Sequence, residues 1–404
     1  MKPREIAFIL VLLFLVAIGF FGAYQMHFQP VMPVEPFEIA LGYPWRFLVA
    51  LYVFLVLIGT AAIASAGELL KVRELEAILK ESILIAIVTI AVGLVTIAAD
   101  LERIERGSYA LLGHTNATSV MYWMIMFYVL ELLLLVIEGW FVFRSDLLLQ
   151  SERKGFKGLF ARILSLKFLG KFFAKPNKEL DMSFARSIGA LALFTAILAY
   201  SNLGALFSAT HVAIWNDASN PVYFVVTAIA SGSATLMLTI VVTSWIKGGS
   251  YEKIEALPVL SKILLFSLLS ASLFVLWKSV VIGYPAISAE GNYLVRNLLF
   301  GKFAINFWFL EIFVGMISPV LILLFARKNI DALFVASFLS LLGIFAFRVD
   351  FVFSAQTLKT ISGVSISTSI HPFEVMFGTG AFSLALLLYY VLYKLLPMEV
   401  EHEA

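Results

Sequence analysis

The sequence predicts an all-α integral membrane protein of ten transmembrane helices, and three observations carry that class. The 404-residue chain is 61% hydrophobic and only 14% charged, where globular chains carry about a quarter charged residues. Apolar runs long enough to cross a bilayer, about 20 residues each, recur from end to end. Lys and Arg crowd into alternate connecting segments, the asymmetry expected of a polytopic chain.

The ten runs are about 6–24, 45–70, 82–100, 118–143, 184–209, 221–246, 259–283, 303–326, 332–347 and 375–396. The first follows Lys2 and Arg4, as in a signal peptide. No small-residue cleavage site follows it, since Tyr24-Gln25-Met26-His27 comes next, so it reads as a retained anchor. With the N-terminus inside, nineteen Lys and Arg fall on the cytoplasmic side and seven outside, the outer ones including Arg46, Arg103, Arg348 and Lys359. The expected location is the cell membrane, with both termini cytoplasmic.

Four regions follow. Residues 1–44 form an anchor and outer loop. Residues 45–209 form a first four-helix bundle (spans two to five) with a basic cytoplasmic loop at 144–183. Residues 210–349 form a second bundle (spans six to nine), and 350–404 hold an outer loop, the last span and a tail. Within the basic loop, Phe156 to Lys171 reads as a basic amphipathic helix lying on membrane lipid. An internal repeat supports the two bundles: Ala62-Ile63-Ala64-Ser65 in span two returns as Ala228-Ile229-Ala230-Ser231 in span six. Tyr128-Val129-Leu130-Glu131 in span four resembles Trp308-Phe309-Leu310-Glu311 in span eight.

The chain has no cysteine, which excludes an iron–sulfur cluster held by this chain alone. Its five histidines are His27, His114, His211, His371 and His402, and none sits deep in a span, so no bis-histidine haem is expected. Electrons would have to enter through a bound small molecule or a partner subunit. No nucleic-acid partner is expected.

Polar residues inside the spans are therefore the candidates for chemistry. Glu131 and Glu138 share one face of span four, about 10 Å apart along the axis. Glu311 takes the corresponding level of span eight, with Lys278 in span seven and Glu68 in span two. Carboxyl groups at such depth can relay protons; the alternative is a structural lock such as Glu311 with Lys278. A second cluster, Asp100, Glu102, Arg103, His114, Asn116, Ser119 and Trp123, lies at the outer end of spans three and four, where Ser119 or Thr118 would also cap a helix. A third holds Asn202 and His211 after span five. A fourth runs from Arg348 and Asp350 to His371 and Glu374, with Arg348 and Asp350 expected to pair.

These clusters resemble the NrfD/polysulfide-reductase family of quinone-interacting membrane subunits, in its ten-span branch. The matching stretches are Asp100-Leu101-x-Arg103, Asn116-x-Thr118-Ser119-x-Met121-x-Trp123, Phe300-Gly301 to Phe307-Trp308, and Arg348-x-Asp350 to His371-Pro372-x-Glu374. Val120 and Ile104 stand where that pattern more often has proline. The resemblance implies an exchangeable quinone of the menaquinone or ubiquinone type and no prosthetic group in the chain. It implies a ferredoxin-like iron–sulfur partner, with a molybdopterin or cytochrome subunit beyond it.

The expected roles follow. Asp100, His114 and Arg103 meet the quinone head, while Glu131, Glu138 and Glu311 relay protons. Asn116, Ser119, Trp123, Asn202, His211, Arg348, Asp350, His371 and Glu374 line the binding region. Such a subunit is not catalytic alone. A secondary transporter is the competing class, disfavoured because Pro319 is the only proline deep in a span; a purely structural anchor is the third.

Overall fold

The computed structural model describes residues 3–28, 47–101, 116–167, 175–247, 251–284, 289–355, 358–359, 364–365 and 370–398. Among them are ten helices long and apolar enough to cross a membrane. They are Pro3–Met26, Phe47–Leu69, Leu79–Asp100, Val120–Gln150, Lys178–Ser208, Asn220–Ile246, Lys253–Gly283, Asn306–Phe325, Ile330–Ser354 and Pro372–Leu395. In hydrocarbon every backbone N–H and C=O must find a partner within the protein, and a helix supplies them all. The only strands described are Leu358–Lys359 and Val364–Ser365, a short antiparallel pair between spans nine and ten.

Spans two to five pack in a closed ring, each against the next and five against two. Spans six to nine close a second ring in the same way. The rings meet where span six touches spans five and two, and where span nine touches span two. One apolar core runs through the junction, from Tyr52 and Tyr128 to Phe224 and Phe351. Spans one and ten pair with each other outside the rings: Gly19 lies against Gly380, and Lys394 reaches Glu5 at 2.8 Å. Both described ends of the chain therefore share one side, here called the terminal side.

Span two is not continuous. Its helix stops at Val56 and resumes at Thr60. Leu57 O accepts a hydrogen bond from Ser231 Oγ at 2.5 Å, and Gly59 N donates to Ala228 O at 3.2 Å. A Cβ added at Gly59 would lie 2.8 Å from Ala228 O, and one at Gly232 would lie 2.6 Å from Gly59 C. Two backbones meet here with no side chain between them, and span six satisfies the polar groups that the break frees. The two repeat segments, 62–65 and 228–231, flank this crossing. Span eight departs differently: Asn306–Ile317 is wound as a π-helix, returning to α at Ser318–Phe325. There Gly315 and Gly343 let spans eight and nine touch backbone to backbone.

Several expected boundaries move. Span nine runs to Ser354, so Arg348 and Asp350 lie inside a helix and are buried rather than on an outer loop. Spans four and five extend to Gln150 and back to Lys178. The expected loop at 144–183 thus loses Arg144 and Asp181 to helices, where they form a buried ion pair with Ser145 Oγ donating to Asp181 at 2.6 Å. The expected surface helix is present as Phe156–Leu164, its Phe156, Leu159 and Ile163 exposed on one side and Leu164 O held by Trp140.

Candidate functional site

Four of the carboxyl groups expected to be functional, Glu131, Glu138, Glu311 and Asp350, are at most 2% exposed, and none has a cationic partner within 4 Å among the described residues. In the first ring they form a row. Tyr200 on span five donates to Glu131 Oε1 at 3.1 Å, with the buried hydroxyls of Tyr52 and Tyr128 beside it lacking hydrogen-bond partners. Two turns nearer the terminal side, Ser65 on span two donates to Glu138 Oε1 at 3.3 Å. Next comes Glu68, 3.5 Å from Arg186, whose side chain is half exposed. Hydroxyl and carboxyl groups in such a line can pass a proton by turning, since each both donates and accepts when protonated.

Arg348 sits where the rings meet and is fully buried. Its Nη2 donates to Thr227 Oγ1 at 2.6 Å, while Nε and Nη1 have no partner. The guanidinium stacks over Phe224 and Phe347, 4.6 and 4.9 Å from the ring centres. It does not pair with Asp350, as the sequence suggested, because residues two apart on a helix point away from each other. Tyr128 of the first ring and Tyr223 and Glu311 of the second lie within its electrostatic reach.

The second ring holds a chamber of about 60 Å³ lined by Tyr223, Lys278, Ser279, Phe307, Glu311 and Asp350, among others. Lys278 does not lock Glu311. It donates to Asn220 Oδ1 and lies 3.5 Å from Asp217 Oδ2, on the side away from the termini. Asn220 in turn donates to Trp215 O at 2.6 Å, and Trp215 Nε1 to Phe351 O at 2.7 Å.

The remaining predicted residues scatter. Asp100 ends span three, partly buried; Arg103 and His114 lie outside the described residues. Asn116 Oδ1 accepts from Thr118 N and Oγ1, and Trp123 Nε1 donates to Ala117 O, so these polar groups build the turn before span four. Ser119 occupies the N-cap position without a side-chain cap bond. Asn202 Oδ1 is buried without a partner, and His211 is exposed. His371 and Glu374 form a capping box at the start of span ten: His371 Nδ1 accepts from Phe373 N, and Glu374 Oε2 from His371 N, both at 3.3 Å. Among the described residues no group of three or more His, Asp or Glu could hold a metal ion.

The NrfD polysulphide reductase family model matches residues 37–359, both rings entire apart from the leading residues of the outer loop. The chain belongs to the NrfD polysulphide reductase family. It is 24% identical to a membrane-family relative from Mesobacillus selenatarsenatis, one of the subunits of its selenate reductase, over 333 residues, 79% of this chain and 76% of that protein. It is 22% identical to the NrfD homolog of Haemophilus influenzae over 328 residues, covering 77% and 94%. It is accordingly a multi-pass membrane subunit of the kind found in reductase complexes.

Sequence reading did not find the tyrosines that complete this NrfD site. Tyr128 lies three residues before Glu131, on the same helix face, which was a usable signal. Tyr52, Tyr200 and Tyr223 come from other spans and carried none.

Proposed function

We propose that this NrfD-family chain is the quinone-reactive membrane subunit of a respiratory oxidoreductase complex, exchanging electrons with an extrinsic iron–sulfur subunit. The observation that carries this reading is the row of buried protonatable side chains in the first ring, from Tyr52, Tyr128, Glu131 and Tyr200 through Ser65 and Glu138 to Glu68 and exposed Arg186. Ionisable groups without counter-ions are costly at this depth, and their use explains their presence. Quinol oxidation releases two electrons and two protons, and quinone reduction takes up both. A subunit without its own redox ligands needs a proton route and a partner for the electrons.

The head group sits at the outer mouth of the first ring, at the end of span three. Asp100 accepts or returns a head-group proton, His114 exchanges a second, and Arg103 keeps Asp100 oriented. Electrons pass between the ring and the iron–sulfur partner, which a molybdopterin or cytochrome subunit serves in turn. Both termini and the basic segments face the cytoplasm, and the glutamate row carries protons between that side and the mouth.

The transporter alternative gains one observation, since span two is interrupted at mid-membrane after all. That break is sealed against span six by backbone contact, unlike the open breaks of transporters. The test is quinol-dependent electron transfer in the complex assembled with its partners, using Asp100→Asn and His114→Gln. A fall of about a hundredfold is expected for loss of a group in proton transfer. Unchanged turnover in both variants would remove this site assignment.

A further inference from the structure

The second ring carries a feature that stands apart from the first-ring mouth. Spans seven and eight leave between them an apolar groove of about 580 Å³ on the outer, lipid-facing surface. Its walls include Leu269, Leu276 and Val280 on one side and Trp308, Ile317 and Leu321 on the other. All six are at least 45% exposed. From Leu269 to Val280 the groove follows the helix for about 16 Å. At its outer end Val275, Ser279 and Phe307 line both the groove and the 60 Å³ chamber, so one leads into the other.

The π-winding of span eight creates this junction. With more than four residues per turn, Phe307, Glu311, Ile312 and Met316 fall on adjoining stripes of one face. Glu311 thereby reaches the chamber while Ile312 and Met316 line the groove. The polar groups of the chamber are unsatisfied. The Tyr223 hydroxyl is buried without a partner, and Glu311 makes no hydrogen bond among the described residues. Lys278 commits to Asn220 and Asp217 and keeps a third N–H.

We infer that this groove and chamber form a second, laterally entered binding site for an isoprenoid quinone, its tail in the groove between spans seven and eight and its head at the neck beside Ser279. The occupant follows from the chemistry of the two ends. The groove has the volume of a ligand pocket but offers almost nothing except hydrocarbon, which suits a chain from the bilayer. The chamber holds about two waters' volume, too little for a ring but enough for one oxygen and its hydration. Tyr223 and Lys278 supply donors for a quinone carbonyl, and Glu311 and Asp350 accept from a quinol hydroxyl, so both redox forms are served. A phospholipid headgroup is too large and too charged for that chamber. This inference rests on the quinone reading given above, and its test separates the two.

The full chain in nanodiscs is irradiated with a prenylated benzoquinone bearing a photoreactive tail, and the labelled peptides are mapped by mass spectrometry. Label is expected on peptides containing Leu276–Val280 and Trp308–Leu321, and unlabelled quinone should displace it. Ser279→Trp, which plugs the neck, should abolish that label. Glu311→Gln, which keeps the volume, should lower apparent affinity about tenfold, as for loss of one charge-assisted hydrogen bond. If Ser279→Trp does not yield a monodisperse protein, Glu311→Gln carries the test alone. Groove label that is insensitive to Glu311→Gln, or displaced as readily by phospholipid as by quinone, overturns the inference. Label confined to peptides near Asp100 overturns it and leaves the first-ring site standing. No label anywhere removes both.

Discussion

The terminal side of this molecule and the middle of its rings treat buried charge in opposite ways. On the terminal side the buried carboxylates Asp181 and Glu81 have cations against them. Arg144 meets Asp181, and Lys253 meets Glu81 with Tyr251 donating to the same oxygen at 3.1 Å. The half-buried pair Lys80–Asp146 follows the same rule, and Lys80 also holds Pro397 O at 2.7 Å, fastening the end of span ten to spans three and four. In the middle, Glu131, Glu138, Glu311 and Arg348 are just as buried and have no ion pair among the described residues. Removing one partner from a buried pair strands a charge, whereas an isolated buried group already bears that cost. The difference separates residues that hold helices together from residues retained for what they do.

The largest effect should therefore fall on the paired side. Arg144→Ala leaves Asp181 buried with only Ser145 beside it, and should destabilise the protein by about 3–5 kcal/mol, as for other broken buried pairs. Thermal unfolding in detergent reads this, while turnover per folded molecule stays near that of the parent protein. A stability loss below about 1 kcal/mol would mean the pair is no lock and would erase the contrast.

Glu131→Gln tests the other half. The amide oxygen still accepts from Tyr200, so stability should change by less than about 1 kcal/mol. Proton-coupled quinol turnover should fall about a hundredfold, because the amide cannot take up and release a proton. Stopped-flow proton uptake by the assembled complex is the readout. Full turnover would make the row a set of packing contacts.

At the outer end, His371→Ala removes the N-cap of span ten and should cost about 1 kcal/mol. Quinone titrations should not shift, because the histidine is spent on Phe373 N. A weakened quinone affinity instead would restore His371 to the binding region that sequence reading placed it in.

That case shows where sequence reading succeeds and where it stops. Ten spans, the two groups of four and the depth of Glu131, Glu138 and Glu311 were all legible, because hydropathy and the 3.6-residue period report membrane depth and helix face. Arg348 and Asp350 were misplaced because a hydropathy window ends at a charge, while the helix carrying it continues. The same blindness hid Arg144 and Asp181 inside an apparent loop. The break at Leu57–Gly59 gave no sign because its cause lies in span six, where Ser231 and Gly232 come against it. The π-winding around Glu311 is equally silent, since composition does not distinguish i→i+4 from i→i+5 hydrogen bonds.

The smallest expected effect is the sharpest test. Arg348 is a buried cation with one hydrogen bond, to Thr227, and two faces on Phe224 and Phe347. Replacing it with methionine forfeits cation–π contacts of about 1–2 kcal/mol each when desolvated and leaves the Thr227 hydroxyl bonded to Tyr223 O. It also removes the desolvation penalty of an unpaired charge, which amounts to several kcal/mol. The terms oppose, and Arg348→Met should leave the unfolding midpoint within a few degrees of the parent, unlike Arg144→Ala. Turnover should fall nonetheless, because Arg348 stands between Tyr128 of the first ring and Glu311 of the second. A collapse in stability matching Arg144→Ala would mean that Arg348 is a lock after all, and that buried charge follows one rule throughout the molecule.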